Sequence, residues 1–376
     1  MRLSMEIKLI KNFEVGTLAS LNENFIIHVV DDNRQLDKFS GKRIYLFNPK
    51  TNERIEIAPE IPKFFMSLNY YSMHKNSFFV FLSAKMVNEK NIEITYYVYD
   101  VRTNGCKAIH SLTESLDAIR SNMILKVFCL TQDYCLFQHR IDTKEGERYE
   151  LLLKDITNEK QMNIENELLT KHGMDSLIPL QGNVCAIKIG ESCIGIINVN
   201  QFVSDMLLGL DVEFKEMLDN VSNEYAIEYV KENNGNILYT KRDIAGDSEE
   251  IIMYDYTNNV KRIRQNDRLS NQKDFDGMYI INDVPYRFFG NERGTKLINL
   301  NTQKSEYRFN SDSKVEMVLD DMMVISKKKK RFPFSRKIID YIEVYRFQEF
   351  RHAIYKSKAK FGGCINHFGD LLIFTI

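Results

Sequence analysis

Short runs of apolar, mostly β-branched and aromatic residues recur along the whole chain, separated by polar turns. The clearest stretch is Ile94 to His110, Ile-Thr-Tyr-Tyr-Val-Tyr-Asp-Val-Arg-Thr-Asn-Gly-Cys-Lys-Ala-Ile-His. Its first half is too short and too β-branched for a helix and fits a pleated, half-buried surface. Asp100 can turn the chain by accepting from a backbone N–H two residues on. Asn104 and Gly105 tolerate the positive φ that a tight reversal requires. The pattern predicts a β-hairpin.

Copies of this hairpin begin at Ile44, Glu150, Gly195, Ile251 and Leu297, and a last one at Tyr341 keeps the alternation without the Asp/Asn. With Asn48, Asp100, Asp155, Asn198, Asp255, Asn299 and Arg346 as anchors, the spacings are 52, 55, 43, 57, 44 and 47 residues. A period of about 50 residues with two hairpins in each is the signature of four-stranded propeller blades. A single blade cannot bury both of its faces, so blades stack around an axis. Unrelated hairpins in one or two sandwiches are the alternative.

Between the hairpins, helical insertions are expected near 111–122, 163–173 and 202–221. In the first, Leu112, Leu116 and Ile119 share a face. In the last, Phe214, Met217, Leu218 and Val221 fall at helical spacing. Met5–Phe13 reads as a lone strand. Cys364–Ile376 reads as two strands around Gly369-Asp370, ending in Leu371-Leu372-Ile373-Phe374. An apolar terminal strand left unpaired would invite aggregation, so the two ends are expected to meet in one composite blade. The expected fold is thus all-β, one domain over residues 1–376: a β-propeller of seven or eight four-stranded blades.

The chain resembles β-propellers that carry an aromatic-Asp-x-x-Thr-(Asn/Gly) turn between their outer strands. The likeness is one of architecture. The sequence has no tryptophan, hence no Gly-His…Trp-Asp signature, and lacks the paired glycines of kelch repeats apart from Gly362-Gly363, which fall outside the repeat phase. Propellers host scaffolds, hydrolases and lyases alike, so the resemblance implies no chemistry.

Composition narrows the classes. Of 376 residues 44% are hydrophobic, and Lys plus Arg (51) against Asp plus Glu (52) leaves a net charge of −1, so no bulk attraction to nucleic acid or anionic lipid arises. Six cysteines without a Cys-x-x-Cys pair make no disulfide scaffold or zinc site, and are expected reduced. The apolar segments stay below the roughly 18–20 residues that span a bilayer. The Met1–Lys8 start has no signal-peptide core, which points to the cytoplasm and away from membranes.

No catalytic or phosphate-binding motif occurs. The seven histidines are scattered; His28, His74 and His367 lie on or beside inner hairpins, where ligands from different blades could converge. The expectation is nonetheless no metal and no cofactor. Asp31, Asp32, Asp320 and Asp321 could face a channel mouth. Lys327, Lys328, Lys329, Lys330 and Arg331 form a basic loop that continues through Arg336 to residue 337, with Phe332 and Phe334 interleaved. These ten charged residues are the candidate binding residues.

The resulting expectation is a non-catalytic propeller serving as a protein-interaction or ligand-binding platform, with another protein as the first-choice partner. An enzyme or small-molecule binder using the central channel is the alternative, followed by a nucleic-acid binder through 327–337.

Overall fold

Neighbouring runs pair as hairpins, because a tight turn closes a short loop at little entropic cost. The computed structural model describes residues 5–36, 39–61, 78–115, 126–144, 146–180, 182–222, 224–233, 236–245, 248–267, 275–282, 284–291, 294–302, 304–319, 321–330, 338–347 and 352–376.

The chain opens with β1 (Ile7–Ile10), which belongs to no hairpin of its own. Next, β2 (Gly16–Asn22), β3 (Phe25–Leu36), β4 (Phe39–Phe47) and β5 (Arg54–Glu56) form a four-stranded sheet. Then come β6 (Phe78–Met86), β7 (Asn91–Asp100) and β8 (Gly105–Ser115), three strands among the described residues. The third sheet holds β9 (Lys126–Cys129), β10 (Tyr134–Thr143), β11 (Gly146–Asp155) and β12 (Gln161–Asn163), followed by helix α1 (Glu167–His172). The fourth holds β13 (Met174–Pro179), β14 (Val184–Ile189), β15 (Cys193–Asn198) and β16 (Glu216–Asn220), with helix α2 (Val199–Leu208) before its last strand.

Three more four-stranded sheets follow. They are β17 (Tyr225–Asn233) to β20 (Val260–Asp267), through β18 (Asn236–Asp243) and β19 (Ser248–Asp255); β21 (Phe275–Ile281) to β24 (Lys304–Asn310), through β22 (Val284–Asn291) and β23 (Gly294–Asn299); and β25 (Ser313–Val318) to β28 (Ala353–Ser357), through β26 (Met322–Lys330) and β27 (Ile338–Arg346). Finally β29 (Phe361–His367) and β30 (Asp370–Thr375) form a hairpin to which β1 adds. This succession of eight small sheets is a β-propeller, with eight blades rather than seven.

Four of the anchors turn the chain as expected. Asn48 Oδ1 accepts from the backbone N–H of Lys50 (2.9 Å), Asp100 Oδ1 from Arg102 (2.9 Å), Asp155 Oδ1 from Thr157 (2.9 Å) and Asn299 Oδ1 from Asn301 (2.8 Å). Four positions beyond an anchor the backbone turns left-handed, at Asn52, Asn104, Glu159 and Asn259 (φ 62°, 53°, 59° and 54°). The tyrosine before the anchor clamps that position in two sheets, Tyr99 donating to Asn104 and Tyr254 to Asn259 (2.7 Å).

Asn198 uses the same side-chain geometry to cap α2, accepting from Asn200 and Gln201 (3.0 and 3.3 Å), so the fourth repeat inserts a helix where the others turn. Hence the helix here spans Val199–Leu208, and Met217 and Leu218 lie instead in β16. The predicted insertion near 163–173 is α1, six residues capped by Asn166. Near 111–122, residues up to Ser115 continue β8, because pairing with β7 overrides the ambiguous spacing of Leu112; the remainder lies outside the described residues.

The chain folds as two compact units: Leu21–Gly246 with Tyr256–Asn258, and Met1–Ser20 with Asp247–Asp255 and Asn259–Ile376. In the former, β10 shows how a strand serves two interfaces. Cys135 and Phe137 pack with Val80, Leu82, Ile94 and Tyr96 of the preceding sheet. Leu136, on the opposite side, joins Leu177, Ile187 and Ile197 of the following one. Period-two alternation therefore buries both faces. The cysteines are all free, and Cys129 and Cys135 lie cross-strand with sulfurs 3.6 Å apart. No helix among the described residues is long and apolar enough to cross a membrane.

In the other unit the two ends of the chain share a sheet. β1 runs parallel to β30, with Ile7 opposite Leu371 and Ile10 opposite Phe374. Leu371 N–H donates to Glu6 O (2.8 Å), Lys8 Nζ meets Asp370 Oδ2 (2.7 Å), and the Phe13 and Phe374 rings lie 4.4 Å apart. Ile373 is fully enclosed. Ile373→Ala is expected to cost about 2–5 kcal/mol in urea unfolding, whereas Ile376→Ala, at a 46% exposed position, should stay within about 0.5 kcal/mol.

Candidate functional site

The β10–β11 hairpin outruns its support. Among the described residues β9 pairs only with Cys135–Gln138, whereas β10 and β11 stay paired as far as Thr143 and Gly146. Beyond Gln138 the inward positions turn polar, with His139 opposite Glu150. In β8 the alternating residues His110, Leu112 and Glu114 face the same space. With β12 and the start of α1 these ribbons enclose a cleft of about 810 Å³. Its floor is apolar, built from Phe137, Leu151, Leu152, Leu112 and Ile164.

The polar groups have definite partners. Glu114 Oε1 lies 3.2 Å from His139 Nε2, both side chains being mostly covered. His110 packs its ring 4.8 Å from Phe137, which also meets Tyr96 edge-on at 5.5 Å. Burial, and then the Lys154 charge, push the His110 pKa below its ordinary value, so the ring is neutral at pH 7. Burial also raises the Tyr96 hydroxyl, with Glu114 adding to it. Asn166 accepts from Leu169 N–H (3.0 Å) and fixes the first turn of α1, where Glu167 and Thr170 face the cleft.

A second, smaller cleft of about 360 Å³ adjoins it, and Tyr149 lines both. Asp175 there bridges Lys188 (2.7 Å) and Lys126 (3.1 Å). Its burial would raise the carboxyl pKa, but these lysines outweigh that and lower it. Gln138 holds both backbone groups of Met174, donating to its carbonyl (3.0 Å) and accepting from its N–H (2.5 Å). Gly173 has φ 67° and ψ 155°, a conformation close to glycine-only. A Cβ there would lie 2.7 Å from the Tyr149 ring.

The described residues among those singled out from sequence do not line either cleft. Lys327–Lys330 are not a loop but the end of β26, paired with Ile338–Tyr341 of β27. Lys327 is drawn inward: its Nζ meets Glu343 Oε2 (2.5 Å) and Tyr345 Oη (3.0 Å), and Lys356 takes the other Glu343 oxygen (2.7 Å). Lys328, Lys329 and Lys330 are exposed, Lys329 lying 6.0 Å over the Tyr341 ring. Arg331 and Arg336 lie outside the described residues, as do Asp320 and His74. Asp31 is exposed and pairs with Lys42, Asp32 is in β3, and the Asp321 carbonyl accepts from Phe347 N–H (3.0 Å). Asp31 and Lys327 belong to different compact units.

His28 is fully buried with its ring 6.2 Å from Tyr45, and His367 Nδ1 lies 2.9 Å from Ser20 Oγ. Among the described residues no cluster of three or more His, Cys, Asp and Glu has a metal-binding arrangement. Sequence reasoning missed Glu114, His139 and Glu150. The one available signal was the turn at Thr143–Gly146, whose register places His139 opposite Glu150.

No family model matches the chain. No curated protein sequence matches it. Among solved structures it is similar to dipeptidyl peptidase 4 of Porphyromonas gingivalis, at 8% identity and TM-score 0.50, over 88% of this chain and 51% of that one. It is similar also to the β-propeller domain of the trilobed protease of Pyrococcus furiosus, at 13% identity and TM-score 0.46, over 91% and 97% of the two chains. The chain thus spans about half the length of the peptidase. At these identities the likeness concerns the fold.

Two outcomes follow from this geometry. Gly173→Ala should lower stability by about 1–3 kcal/mol in urea melts, from backbone strain and the displaced Tyr149 ring. Burial alone would raise the Glu343 pKa, but hydrogen bonds from Lys327, Lys356 and Tyr345 hold it at about 2. Its stabilisation is therefore complete above the unfolded value of about 4.3 and lost as pH falls through the folded one. Glu343→Gln should cost about 3 kcal/mol at pH 7 and flatten the acid limb of stability against pH.

Proposed function

We propose that the protein is a non-catalytic β-propeller platform that binds a ligand in the cleft between β8, the β10–β11 hairpin, β12 and α1. The observation that carries this reading is the cleft itself. Its volume of about 810 Å³ lies within the roughly 300–1,000 Å³ of sites that enclose drug-sized molecules, and its make-up is the usual one, an apolar floor beneath a few convergent polar groups. The scaffold suits a preformed site, because three of its walls are strands held by ladder hydrogen bonds.

Support for the non-catalytic reading comes from the lining. Among the described residues no serine or cysteine faces the cleft, and the Glu114 carboxylate is paired with His139. Glu150, Glu165 and Glu167 sit at the exposed rim, where water solvates them. Such groups bind and select, and among the described residues no base-activated serine or cysteine stands beside them.

Leu112 is partly buried on the β8 wall, and a tryptophan there intrudes into the cleft. A fragment library screened by thermal shift against the full chain is expected to yield stabilising compounds whose effect disappears in Leu112→Trp. Compounds that stabilise both proteins equally, or the absence of any stabiliser, would refute the proposal.

A further inference from the structure

Most of the ionisable side chains that line the large cleft are carboxylates. Glu114, Glu150, Glu165 and Glu167 face it, and among the described residues no lysine or arginine does. Two imidazoles also line it: burial and then Lys154 lower the His110 pKa, and His139 lies between Glu114 at 3.2 Å and its cross-strand neighbour Glu150. Beneath the carboxylates the floor is aromatic and aliphatic, with Phe137 and Leu151 almost wholly enclosed and the Tyr149 ring on one wall.

Such a lining sets two requirements on an occupant. It must offer apolar surface to the floor, because burying a polar group there without a partner is costly. It must also bring positive charge to the rim. A neutral molecule gains only hydrogen bonds from the carboxylates, an anion is repelled, and a cation adds charge attraction and can also rest against the ring faces.

We infer that the ligand of this cleft is a small organic cation, an amine or guanidine on an aromatic or aliphatic body. This rests on the cleft being the binding site proposed above. Each rim carboxylate is solvated and contributes modestly, so the selectivity comes from several of them acting on one ligand charge.

The test uses three probes with the same body and different charge: phenylbutylamine, phenylbutanol and phenylbutyrate. Their affinities for the full chain are measured by ligand-observed NMR at about 20 mM and about 300 mM salt. The amine is expected to bind about tenfold more tightly than the alcohol at low salt, the acid more weakly than either, and the spread to narrow at high salt. In the Glu150→Gln/Glu165→Gln variant, whose two changes lie at exposed positions, the amine should fall to within about threefold of the alcohol while the alcohol is unaffected. Binding that Leu112→Trp blocks but that is indifferent to ligand charge overturns this inference and leaves the cleft standing as a ligand site. Binding that Leu112→Trp leaves intact, or no binding at all, removes both.

Discussion

A sheet only four strands wide, apolar on both sides, has no stable existence alone. That constraint governs this molecule. Cys135 and Phe137 face one neighbouring sheet and Leu136 the next, so each strand residue is committed to one of two interfaces, and a slip of one residue would exchange them. The recurring Asp/Asn turn serves the same end. By satisfying its own backbone and forcing a left-handed residue four positions on, it fixes the register of each hairpin locally.

The candidate site lies where the stacking runs out. The β10–β11 ribbon continues past its last bonds to β9, and the side chains that would have been core become His139, Glu150 and the Glu114 partner across the gap. The cleft is thus a product of strand length. Two ribbons of about ten residues extend beyond a sheet that packs over fewer, and the first turn of a six-residue helix adds to the rim.

The hairpins were legible in sequence because their cause is local: an Asx side chain, a residue tolerant of positive φ, and alternation on either side. The eighth sheet was legible only by argument from an apolar end needing a partner. What could not be read depends on pairing. Leu112 sits at a spacing that suits helix or strand alike, and its bonds to β7 decided it, so Glu114 was hidden inside a supposed helix. The lysine run looked like a solvated loop for a similar reason. Nothing near Lys327 in sequence announces Glu343, which the β26–β27 ladder brings beneath it, and only its neighbours along the strand keep the exposure that composition suggested.

The parallel contact between β1 and β30 has a bearing on biogenesis. Ile7 meets Leu371, so a strand made early in this sequence docks against one made much later. Hairpins of neighbouring strands can form as they emerge, but the β1–β30 pairing must wait until β30 has been made. Until then the apolar β1 stays without its mate, an interval in which chaperone capture would compete with native docking.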